Sequence, residues 1–125
     1  QLISSKLKDK GLFVMQAGSA DMIHHEFFVS CYQTLRQAFP EVKPFWVFVL
    51  SFGLPWGFLV AAKEGASLDT EEEGIISRFD ALNRDGVRFY CPEMHRAYFI
   101  LPVYLFNSLN KGKVITDKNP YIWTL

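Results

Sequence analysis

Phe45-Trp46-Val47-Phe48-Val49-Leu50 and Trp56-Gly57-Phe58-Leu59-Val60, joined by Ser51-Phe52-Gly53-Leu54-Pro55, decide the fold of this chain. They lie within Pro44 to Ala62, nineteen residues without a charge, which is long enough for a membrane span. The residue types argue otherwise. Gly53, Pro55 and Gly57 interrupt the centre, and both flanks are aromatic and β-branched. Such a pattern predicts two buried strands around a tight turn, since glycine and proline punctuate chains while these flanks suit a pleated surface.

Upstream, Leu12-Phe13-Val14-Met15 reads as a strand buried on both faces, ending at the small-residue turn Gln16-Ala17-Gly18-Ser19. A helix is expected from Asp21 or Met22 to Phe39, with Ser19 and Asp21 as candidate N-caps and Phe27, Phe28, Cys31, Leu35 and Ala38 as its apolar stripe. Pro40 closes it. Gln1 to Lys8 has the pattern of the later half of an amphipathic helix, stopped by Gly11. On this reading part of the working protein precedes Gln1. Downstream, a polar connection from Glu64 to Glu73 leads into a helix carrying Ile75, Ile76, Phe79 and Leu82 and ending near Gly86. An extended stretch Val87–Tyr90, a short helix Val103–Leu109 after Pro102, and a strand start with a turn over Lys113–Pro120 complete the reading. Strand, helix, strand, then a tight strand-to-strand turn describe an α/β sheet that ends in an antiparallel strand pair. Ligands in such sheets sit beyond the carboxyl ends of the strands, which places Gln16 to Asp21 on the functional rim. The Ser51–Trp56 turn joins that rim if the strand before it runs in the direction of Leu12–Met15.

The 125 residues suit one domain, and a hydrophobic half supplies its core. Thirteen basic residues balance thirteen acidic ones, so charge-driven binding to nucleic acid is not expected. Cys31 and Cys91 share no metal-ligand spacing with each other or with His24, His25 and His95, so no metal site is expected. Two reduced cysteines and no leader pattern fit a cytoplasmic protein. No nucleophile–histidine signature and no phosphate-cradling glycine loop is present. Three rim residues remain. Gln16 offers donors and acceptors, and either holds an amine or hydroxyl or satisfies turn backbone. Phe52 and Trp56 either pack the sheet end or wall a pocket whose aromatic faces attract a cation.

Four stretches together resemble the C-terminal half of the polyamine aminopropyltransferases, the family of spermidine synthase. Gly11 to Ser19 resembles the strand ending in a substrate-contacting glutamine, and Phe39-Pro40 closes the next helix in the same way. Ser51-Phe52 followed by Trp56 to Lys63 resembles the substrate-side loop and last strand. His95-Arg96-Ala97-Tyr98-Phe99-Ile100-Leu101-Pro102 is close to a family run, and Ile115 to Pro120 fits the prokaryotic branch. The resemblance implies the last part of a Rossmann-like S-adenosylmethionine-dependent methyltransferase fold, with residues 1–125 forming the C-terminal part of one catalytic domain. It also implies aminopropyl transfer from decarboxylated S-adenosylmethionine to putrescine or a related polyamine, and a homodimer or homotetramer. Gln16 would contact the substrate amine, Phe52 would stand where the family often has a tyrosine, and Trp56 would wall the channel. The cofactor loop and catalytic aspartate would precede Gln1, so these residues alone are expected to be inactive. Rival expectations are another S-adenosylmethionine-dependent transferase or an inactive relative, a non-catalytic assembly module, and a membrane hairpin.

Overall fold

The computed structural model describes residues 2–82 and 84–122. Its centre is the predicted hairpin. β1 (Leu12–Ser19), β2 (Glu41–Val49) and β3 (Leu54–Ala62) form a three-stranded sheet in the order β1-β3-β2. β3 is antiparallel to both neighbours, so β1 and β2 run the same way and end at the same edge. The condition that puts the Ser51–Trp56 turn beside Gln16 is therefore met. The hairpin turn is closed by bonds from the Phe52 and Gly53 N–H groups to the Val49 carbonyl, each 3.0 Å, with Gly53 at φ +69°.

The hairpin strands are longer than the uncharged run suggested. β2 begins at Glu41 and includes Lys43 and Pro44. An edge strand tolerates proline, and Lys43 is ion-paired to Asp69 and Glu41. β3 is the buried strand, whereas β2 is mostly half-buried.

β1 departs from the expected burial on both faces. Leu12 and Val14 are 51% and 57% exposed, because no helix among the described residues packs on that face of β1. Its opposite face carries Phe13, Met15 and Ala17 toward α2 (Glu26–Leu35). Phe28 of α2, Leu59 of β3 and Leu105 of α5 (Val103–Ser108) are fully buried and centre the core.

α2 starts later than Asp21 or Met22. Asp21 does cap, but its Oδ1 accepts from the Ile23 and His24 N–H groups, both 2.7 Å, and so closes a separate turn ahead of the helix. The chain leaves α2 at Leu35, and Phe39 is buried and stacked on Phe13 at 6.1 Å.

On the other sheet face, α4 (Pro92–Phe99) packs on β2, with Phe99 on Phe45 at 5.2 Å, and α3 (Glu72–Asp80) packs against α4. α3 ends six residues short of Gly86 and leaves Leu82 exposed. No helix was expected at α4. Its signal was there, in Pro92 at the first position and Glu93 in the first turn. Residues 87–90 form no strand, and residues 113–120 form only a turn closed by a Thr116–Asn119 bridge. α5 appears after Pro102 as expected and continues into a 3-10 turn, Leu109–Lys111. α1 (Leu2–Lys6) leaves Leu2 and Ile3 exposed; Gln1 lies outside the described residues. Among the described residues, no helix is long and apolar enough to cross a membrane, and Pro44–Ala62 lies in β2, the turn and β3.

Candidate functional site

The three rim residues meet. Gln16 stands opposite Phe58 on β3, and Trp56 is two residues along that strand, so the alternation of strand side chains puts Gln16, Phe58 and Trp56 on one face. Past Gln16 the pairing shifts until Ser19 faces Trp56, two residues of β1 answering one of β3. Gly18 takes the positive φ of +83° within this bulge. The diagonal gap between Gln16 and Trp56 suits long side chains. The Trp56 indole Nε1–H donates to Gln16 Oε1 at 3.0 Å. The Phe52 ring lies 4.6 Å from the Trp56 ring at an interplanar angle of 56°. Gln16 thus bonds to the turn's aromatic residue instead of turn backbone, and Phe52 and Trp56 pack on each other at the rim.

Beneath the rim, Gly57 lies against Phe28 of α2; a Cβ at 57 would fall 2.5 Å from Phe28 Cδ2. Beside it, the Ala20 N–H donates to the Pro55 carbonyl at 2.9 Å, and Tyr104 of α5 donates its hydroxyl to the Ala20 carbonyl at 2.6 Å. These contacts hold the loop after β1 against the hairpin. Tyr104 was not singled out in the sequence. Its partner is 84 positions away, and no local pattern marks such a bond.

Asp21 is the acidic group of this loop. Burial opposes its ionisation, but hydrogen bonds from the Ser19 hydroxyl, the His24 and Ile23 backbone N–H groups and the His24 ring hold its carboxyl down at about 2. It is a carboxylate at neutral pH. His24 and His25 both turn to Asp21, His24 Nδ1 lying 3.3 Å from its Oδ2 and His25 Nδ1 3.0 Å from its carbonyl. His95 lies away from the rim, on α4. There the Tyr90 hydroxyl and Nδ1 share a hydrogen bond of 2.9 Å, and burial pushes the imidazole below its ordinary value. Among the described residues, no group of three or more His, Cys, Asp or Glu is placed to hold a metal ion. Both cysteines are free thiols, Cys31 buried and Cys91 half-buried.

The chemistry offered at this edge is one amide, two aromatic faces and an exposed apolar fringe that includes Leu50, Met22 and Ile23. That combination suits a chain of methylenes carrying an amine: the amide contacts nitrogen, and the rings accept a cation and its alkyl stem. The fold is that of an α/β protein in which Gln16, Phe52 and Trp56 gather at the edge where β1 and β2 end.

Residues 1–72 match the spermine/spermidine synthase domain, and the chain belongs to that family. It is 31% identical over 106 residues to the polyamine aminopropyltransferase of Thermococcus onnurineus, covering 85% of this chain and 35% of that one. It is 36% identical over 72 residues to the thermospermine synthase ACAULIS5 of Arabidopsis thaliana, covering 57% of this chain and 21% of that one. The crystal structure of spermidine synthase from Thermotoga maritima superposes with a TM-score of 0.69 at 21% identity, over 84% of this chain and 36% of that one. A spermidine synthase solved with the transition-state analogue AdoDATO superposes equally well. The fold is therefore that of one part of the spermidine synthases, a Rossmann-like α/β architecture, of which the described residues form a small sheet antiparallel at both pairings. The chain spans about a third of the length of the Thermococcus and Thermotoga proteins and about a fifth of the Arabidopsis one.

Proposed function

We propose that this chain supplies the amine-side wall of an aminopropyltransferase of polyamine biosynthesis. The observation that carries the reading is the convergence of Gln16, Trp56 and Phe52 at one sheet edge, in a chain of this family. In the reaction, a neutral amine of putrescine or a related polyamine attacks the aminopropyl carbon of decarboxylated S-adenosylmethionine. A C–N bond forms, the C–S bond breaks, and the sulfur leaves with its electron pair as methylthioadenosine. The new ammonium then loses a proton. Gln16 contacts the amine while Trp56 and Phe52 wall its methylene chain. Phe52 has no hydroxyl, which leaves the acceptor open among putrescine, agmatine and spermidine. The cofactor side and the catalytic aspartate are assigned to residues outside these 125. A cytoplasmic homodimer or homotetramer acting without a metal accompanies this reading.

The test is methylthioadenosine release by the natural gene product that carries these residues, with each of those amines. Amine-dependent release from decarboxylated S-adenosylmethionine, and none from the ordinary cofactor, supports the proposal. Absence of release with every amine contradicts it. Release by residues 1–125 alone would contradict the assignment of the cofactor side elsewhere.

The open edge of β1, with Leu12 and Val14 exposed, favours a second reading as an assembly module that pairs with another strand. A stable complex through that edge, from a gene product without transferase activity, would favour it.

A further inference from the structure

We propose that Trp56 is a positioning residue, whose indole N–H fixes which end of the Gln16 amide meets the amine. The inference rests on Gln16 as an amine contact and adds a cause for its orientation.

A glutamine side chain ends in a carbonyl oxygen with two acceptor positions and an NH2 group with two donors. Turning the amide over exchanges them. An amine N–H or an ammonium needs the acceptor, so a glutamine free to turn presents the wrong end part of the time. The indole Nε1–H is a donor only. Its 3.0 Å bond to Gln16 therefore exists in a single orientation, with the carbonyl oxygen toward Trp56. One acceptor position is used, and the second remains for an N–H of the ligand.

No other hydrogen bond holds the Gln16 side chain among the described residues, and Gln16 is exposed. Its orientation is thus inherited from Trp56. The indole is restrained in turn. Phe52 packs against its ring, its backbone pairs with Ser19 beyond the bulge, and Gly57, next in the strand, lies against the buried Phe28. Phe52 then acts at one remove, by steadying the indole that steadies the amide. The ligand class that follows is an alkyl amine bearing at least one N–H, whose methylenes lie along the two rings.

The experiment is a double-mutant cycle in the natural gene product: wild type, Trp56→Phe, Gln16→Ala and both together, titrated with spermidine and with putrescine by calorimetry. Trp56→Phe keeps a ring against Phe52 and removes the donor. Each single change is expected to weaken binding about tenfold, and the double variant should bind no more weakly than Gln16→Ala alone. If Trp56→Phe costs the same factor whether residue 16 is Gln or Ala, Trp56 is only a wall and the proposal is overturned. Should Trp56→Phe fail to fold, Gln16→Ala suffices, since its side chain is exposed. It should shift the Trp56 indole N–H resonance and speed its hydrogen exchange, and an unmoved resonance overturns the proposal. Failure of the wild type to bind either amine sinks the amine reading itself, whatever the indole resonance does.

Discussion

Phe28 occupies the space that a side chain at Gly57 would need, with its Cδ2 2.5 Å from the position of a Cβ there. Helix and sheet are in close contact beneath the candidate site. Because Phe28 is fully buried, its ring has nowhere to retreat. Gly57→Ala should lower stability by about 1–3 kcal/mol through overpacking, measured by urea unfolding. A change under a few tenths of a kcal/mol would show that α2 does not sit on β3 in this way.

Tyr104→Phe should cost about 1 kcal/mol, the usual net worth of a partly buried hydrogen bond, because it frees the Ala20 carbonyl. Hydrogen exchange of the Ala20 amide, bonded to Pro55, should quicken in the same variant. Unchanged exchange would separate α5 from the rim loop.

Asp21 makes stability depend on acid. Its folded value of about 2 lies below its ordinary 3.8. The stabilisation is therefore fully present above pH 3.8 and is lost as pH falls toward 2. Asp21→Asn should flatten this part of a stability–pH curve measured by denaturant unfolding. An equally steep acid limb in the variant would place the titrating group elsewhere.

The two thiols should separate by reactivity. Burial pushes Cys31 up to about 11, so it stays protonated and sealed in the core, while Cys91 is only half-buried. A thiol reagent at pH 8 should modify Cys91 in the folded protein and Cys31 only on unfolding, as read by peptide mass spectrometry. Equal rates would contradict the packing of α2.

The sequence revealed features whose cause is local. The turn at Leu50–Gly53 needs its glycine, and the flanking strands carry their own aromatic and β-branched pattern, so the hairpin and its rim were legible. Gln16, Phe52 and Trp56 could be placed at one edge because strand direction fixes which ends meet. The Gln16–Trp56 bond was not legible, since it depends on register and on the Gly18 bulge. Nor was the exposure of Leu12 and Val14, which follows from α2 packing on only one face of β1 and leaves no mark in an apolar run. Ser19 and Asp21 are both candidate caps of α2 by residue type; Ser19 bonds to Asp21, and the turn that Asp21 closes adds a step before the helix. At α4, proline and glutamate marked a helix start within a run too short for periodicity to confirm.

The most direct measurement of the central claim is steady-state kinetics of the natural gene product and its Gln16→Ala variant, with the amine and decarboxylated S-adenosylmethionine varied separately. The account predicts about a tenfold rise in KM for the amine, with KM for the aminopropyl donor little changed. An unchanged KM for the amine, or an equal rise for both substrates, would contradict Gln16 as part of the amine wall.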